Sequence, residues 1–95
     1  MWIIAGYITV DEDERDRYVE AHRDLVVRAR KAPGCLDVAI TADPVDHRRV
    51  NNFELWDSWD AVEAWRPQAH APETGITVHD VDVTAYEVAS TRPPF

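Results

Sequence analysis

Residues 2–10 read Trp2-Ile3-Ile4-Ala5-Gly6-Tyr7-Ile8-Thr9-Val10, an apolar, largely β-branched run interrupted only by Gly6. Alternation puts Trp2, Ile4, Ile8 and Val10 on one face and Ile3, Ala5, Tyr7 and Thr9 on the other. Both faces are apolar enough to need cover, which predicts a central strand. Gly6 marks a bulge or a close approach of something to the backbone.

The period changes at Asp11. Asp11 to Lys31 reads as a helix, with Asp11 as N-cap and Glu14 completing a capping box. Asp13–Arg17 and Asp24–Arg28 are acid-before-base pairs at i,i+4, and Tyr18, His22, Leu25 and Ala29 line one face beside Val26. Pro33-Gly34 stops the helix. Cys35 to Ala42 is a second strand with Leu36, Val38 and Ile40 on one side. Arg49 to Trp56 is a third, its faces Asn51-Phe53-Leu55 and Val50-Asn52-Glu54-Trp56. Asp57 or Ser58 caps a shorter helix carrying Trp59, Val62 and Trp65, and Pro67 ends it. From about Ile76 to Ala89 the alternation returns as a long final strand.

The order β-α-β-β-α-β predicts a ferredoxin-like α+β fold: a four-stranded antiparallel sheet with two helices on one face. The opposite face would expose a large apolar patch in a monomer, so a homodimer paired sheet to sheet is expected. The 95 residues form one domain, with 91–95 a Pro-rich tail. A domain of this size buries only about 60–65% of its extended-chain surface, which also favours a partner.

Eighteen acids against ten bases give a net charge of −8, which opposes nucleic acid and anionic membranes. No apolar run approaches the roughly 20 residues of a membrane span. The N-terminus lacks the basic region of a signal peptide, and the expectation is a cytoplasmic protein. Cys35 stands alone, with no partner for an intramolecular disulfide and no neighbouring histidine, and reads as an inert thiol. The four histidines are scattered without a carboxylate at ligand spacing, so no metal site is expected.

Pro33-Gly34-Cys35-Leu36 after an amphipathic helix, followed by Glu54-Leu55-Trp56-Asp57-Ser58 at a strand exit, resembles the antibiotic biosynthesis monooxygenase family over nearly the whole chain. The resemblance implies a dimeric α/β barrel. Two branches of that family bear on the chemistry. Cofactor-independent monooxygenases of anthrone-like or dihydroquinone rings pair an asparagine with a tryptophan four residues later, and Asn52 and Trp56 match that spacing. A tyrosine of that branch falls at Val62 here. In haem-degrading members a tryptophan distorts the porphyrin, and Trp65 matches its spacing from Trp56. The axial histidine of that branch would fall near Thr74, between His70 and His79, and its first-strand asparagine at Gly6 or Tyr7.

The resemblance thus implies O2 chemistry on a planar aromatic without a cofactor, with haem binding and degradation as the alternative. A non-catalytic small-molecule-binding or stress-related dimer is the third reading. His22 is the candidate base, or else a core histidine satisfied by a backbone carbonyl or water. Asn52 is either a structural bridge or a ligand contact, because a buried amide must find partners. Trp56 and His22 join Asn52 as candidate catalytic residues, and Tyr7, Trp65, Tyr86 and His70 are candidate substrate contacts. Glu54 is expected to ion-pair across the dimer with Arg48, Arg49 or Arg66.

Overall fold

The computed structural model describes residues 1–95 as a four-stranded antiparallel sheet with helices packed on one face. The strands are β1 (Trp2–Thr9), β2 (Cys35–Ala42), β3 (Arg49–Trp56) and β4 (Asp80–Glu87), in the order β2-β3-β1-β4. The helices are α1 (Arg15–Ala21), α2 (Arg23–Ala29) and α3 (Trp59–Ala69), with a 3-10 turn at Glu12–Glu14. This is the ferredoxin-like α+β arrangement expected, with β1 central between β3 and β4.

Register assigns the faces. Trp2, Ile4, Gly6 and Ile8 stand opposite Trp56, Glu54, Asn52 and Val50. Ile4, Ala29, Val38, Trp56 and Val62 form the core between this face and the helices. The other face carries Ile3, Ala5 and Tyr7 beside Leu55, Phe53 and Asn51, and no helix covers it.

At Gly6 the backbone of β4 crowds β1: the φ of Gly6 is 153°, and a Cβ there would run into the carbonyl of Asp82. Gly6→Ala is therefore expected to cost at least about 2 kcal/mol, read by chemical denaturation, because backbone rather than a flexible side chain must give way.

The single helix expected over Asp11–Lys31 is interrupted at His22, whose φ of −89° and ψ of 0° leave the α-helical region. The His22 N–H donates to Val19 instead of Tyr18, and the side chain takes over the Tyr18 carbonyl: Nδ1 lies 2.7 Å from it. Asp11 makes no side-chain cap; its Oδ1 lies 2.9 Å from His79 Nε2. Arg17 pairs with Glu14 rather than Asp13, whereas the Asp24–Arg28 pair forms as expected.

Ser58 is the cap of α3, accepting from Ala61 N at 3.1 Å. Pro67 lies inside that helix rather than ending it. Arg28 donates to the carbonyls of Gln68 and Ala69, holding the last turn to α2, and the chain leaves at His70 in the left-handed region. In β2 a register shift between Cys35 and Asp37 throws Leu36 outward, to 54% exposure, away from Val38 and Ile40. Strand β4 begins at Asp80 rather than Ile76, since β1 offers no pairing partner beyond Thr9.

The β2–β3 turn is locked by Asp43, whose carboxylate accepts from Asp46 N, Asn51 Nδ2 and Val45 N at 2.8, 2.9 and 3.0 Å. The bonds from Asp46, then Asn51 and Val45, lower its pKa from the ordinary 3.8 to about 2. A depressed carboxylate pKa stabilises the fold above the unfolded value, and that stability is lost as pH falls through the folded one. Asp43→Asn should therefore flatten the acid-unfolding curve between about pH 4 and 2, measured by circular dichroism.

Candidate functional site

Between the helices and the sheet lies a cleft of about 290 Å³. Ile4, Leu25, Ala29, Val38, Ile40, Val62 and Ala69 give it apolar walls, and Trp65 closes one side. Its polar groups are Tyr18, His22, Asn52, Glu54 and Arg66. The volume is at the lower end of small-molecule sites, and a few polar groups set in apolar walls are their usual composition.

His22 reaches the cleft on the helical face it shares with Tyr18, Leu25 and Ala29. It is buried, at 7% exposure, with Tyr18 stacked against it at 4.2 Å between ring centroids. A carbonyl oxygen only accepts, so the bond to Tyr18 O fixes the proton of the neutral ring on Nδ1. Nε2 then carries the lone pair, and no protein hydrogen bond engages it. A histidine held in one tautomer with its basic nitrogen open is equipped to take a proton. Burial raises the Tyr18 phenol above its ordinary range, keeping it neutral.

Strand β3 supplies the floor. Asn52 and Glu54 point toward the helices in register with Gly6 and Ile4. Glu54 Oε1 accepts from Trp56 Nε1 at 3.0 Å, and Asn52 Nδ2 lies 3.4 Å from Oε2. Glu54 thus faces the cleft and makes no ion pair within its own chain. Arg66 lies at the exposed rim, its guanidinium 5.1 Å from the Trp59 ring centroid.

Of the residues singled out in the sequence, His22, Asn52 and Trp65 come together around this cleft. Trp56 does not line it: the ring is fully buried in the core, 6.4 Å from Trp65 by centroids, and its only N–H goes to Glu54. Tyr7 and Tyr86 lie on the opposite, open face, because they alternate with Ile4, Gly6 and Ala85. There the Arg49 guanidinium sits 4.0 Å from the Tyr7 ring centroid. His70 is exposed and borders a second, more open depression with Arg28 and Lys31, on the far side of Trp65.

Glu54 and Arg66 are the cleft residues that the sequence reading assigned elsewhere. The alternation that puts Glu54 on the face of Asn52 was the signal for the first. Position 66, directly after Trp65, carries no comparable periodic signal. Burial first, then the charges of Glu54 and Asp37, raise the Cys35 thiol, which disfavours its thiolate. No group of three or more His, Cys, Asp or Glu side chains converges on a point that could hold a metal ion. No helix is long and apolar enough to cross a membrane.

Architecture and cleft together define a small ferredoxin-like α+β protein with a ligand-sized space between sheet and helices. A family model for antibiotic biosynthesis monooxygenases matches residues 1–74, and the chain belongs to that family. No curated protein matches it in sequence. Among solved structures, a candidate antibiotic biosynthesis monooxygenase from Deinococcus radiodurans shares the fold with a TM-score of 0.85 at 20% identity, covering 100% of this chain and 99% of that one. One from Nitrosomonas europaea follows it at 0.75 and 17% identity, covering 95% and 100%. The haem-degrader MhuD of Mycobacterium tuberculosis, solved with two haems in its active site, gives 0.73 at 13% identity, covering 98% and 100%.

Proposed function

We propose that this chain is a cofactor-independent monooxygenase that oxidises a planar phenolic or anthrone-like aromatic with O2 in the cleft beneath α1 and α2. The observation that carries the reading is His22: its tautomer is fixed by the Tyr18 carbonyl, its Nε2 makes no protein hydrogen bond, and the residue lines an apolar cleft that Asn52 also lines. In the proposed reaction Nε2 removes a proton from the bound ring system. The resulting electron-rich anion is the species that reduces O2. For an anthrone the sum balances as a ring CH2 plus O2 giving a ring carbonyl plus water. The protein contributes the base, the orientation of the ring against Trp65, and a site that limits water.

This arrangement favours a smaller aromatic over haem. A cleft of about 290 Å³ is small even for a drug-sized ligand. Neither His70 nor His79 reaches it: the first borders the outer depression, and the second is held by Asp11.

The deciding experiment is oxygen uptake with a dithranol-type anthrone, run beside a hemin titration read in the Soret region. Saturable uptake above autoxidation, with a flat hemin titration, is the expected result. A one-to-one Soret shift that bleaches with ascorbate would replace this reading with haem degradation. Stabilisation by the aromatic without uptake would leave a binding protein.

The uncovered sheet face supports a homodimer. Ile3, Ala5, Phe53 and Leu55 form an apolar band there beside Tyr86, which is 54% exposed. A second copy of the chain pairing through this band would bury it in both protomers. Sedimentation at about twice 10.9 kDa is expected, and a monomer at micromolar concentration would refute it.

A further inference from the structure

We propose that Tyr18 is a second catalytic residue of the cleft, its hydroxyl donating to the oxygen that takes up negative charge when His22 removes a proton from the ligand. The proposal rests on the reading of this cleft as the substrate site and adds to it the group that stabilises the anion.

Few donors are free around the cleft. Trp56 stays outside it and spends its N–H on Glu54 at 3.0 Å. One N–H of Asn52 is turned toward the same carboxylate. The ring proton of His22 goes to the Tyr18 carbonyl, and Arg66 stands at the exposed rim. What remains is the second N–H of Asn52, on β3, and the phenol of Tyr18, on α1. Of these, Tyr18 is the one set against the base: the two rings stack with 4.2 Å between centroids and planes inclined by 31°. Its hydroxyl makes no hydrogen bond within the protein and is not sealed from what enters from outside. The i,i+4 spacing thus uses Tyr18 twice. Its carbonyl fixes the tautomer of His22, and its side chain lies beside the ring that takes the proton.

In an anthrone, breaking a ring C–H bond sends the proton to His22 and the electron pair, through conjugation, to the carbonyl oxygen. The Tyr18 O–H stays intact and donates to that oxygen. A hydrogen bond to an ionised oxygen is roughly twice as strong as one to a neutral ketone. The contact therefore stabilises the forming anion more than the bound ketone and acts on the chemical step rather than on binding. Burial suits the phenol to this role, since it keeps the proton on the oxygen.

The test is Tyr18→Phe, which keeps the ring, its stack on His22 and the backbone carbonyl, and removes a hydroxyl that has no partner in the protein. In oxygen uptake with dithranol, kcat should fall about 10²–10³-fold while KM changes by less than about threefold. A second readout uses 6-cyano-2-naphthol, whose fluorescence reports its own ionisation, titrated with pH at saturating protein. The bound naphthol should ionise about one pH unit higher in the variant, because its anion has lost a donor. A folded variant that retains kcat overturns the proposal and leaves the cleft as the substrate site. So does a loss of kcat with the naphthol ionising at the same pH in both proteins, which would make Tyr18 a packing residue only. Wild-type protein that neither consumes oxygen with dithranol nor binds the naphthol overturns the substrate-site reading itself, and this proposal with it.

Discussion

Glutamine in place of His22 is expected to lower anthrone turnover by about 10²–10⁴-fold, the range a positioned general base commonly contributes. The loss should fall on kcat, since the wall formed by Trp65 and the aliphatic side chains remains. The structural cost is smaller. The ring contributes one hydrogen bond to the Tyr18 carbonyl, worth about 1 kcal/mol. A circular dichroism spectrum like that of the wild type, with turnover nearly abolished, is the expected pair of results. Unchanged turnover in a folded variant would mean that another group takes the proton.

Trp56→Ala should produce the largest loss of stability in the chain. The indole is completely buried at the end of β3, packed in the cluster with Ile4, Ala29, Val38 and Val62. Truncating a buried aromatic costs about 3–5 kcal/mol through lost transfer energy and the cavity left behind. Removing the N–H also deprives Glu54 of its 3.0 Å donor. Against a typical total of about 5–15 kcal/mol, the variant would stand near its unfolding threshold at room temperature. Trp56→Phe separates the two parts: it keeps most of the volume, removes the donor, and should cost about 1–3 kcal/mol. Urea denaturation of the two variants measures the difference. Equal costs would mean that the bond to Glu54 matters more than the packing.

The strands and their faces were legible because β1 and β3 alternate without interruption, so Asn52, Glu54 and Trp56 could be set on one side from period alone. What alternation does not carry is depth. Asn52 and Trp56 share a face, yet Asn52 borders the cleft and Trp56 lies beyond its end, sealed by α3. Tyr7 and Tyr86 were candidates as aromatic residues near the expected site. Their positions in register, opposite Asn51 and Ile3, put them on the other side of the sheet. Glu54 reads as an ion-pair partner across the dimer when charge is considered alone, and within the chain the Trp56 indole donates to its carboxylate at that inward position. The break at His22 was invisible, since no proline or glycine marks it and a side chain competing for a backbone carbonyl leaves no periodic trace.

That break divides the roof of the cleft into two helices of seven residues each. Segments so short are unstable on their own, because each must repay a costly nucleus with few hydrogen bonds. They persist through what they rest on. The amides of Arg15–Ala29 should therefore exchange with deuterium earlier than those of β1 and β3, and an aromatic occupant would slow them. Such exchange would show that the cover of the cleft opens locally, without a hinge elsewhere in the chain.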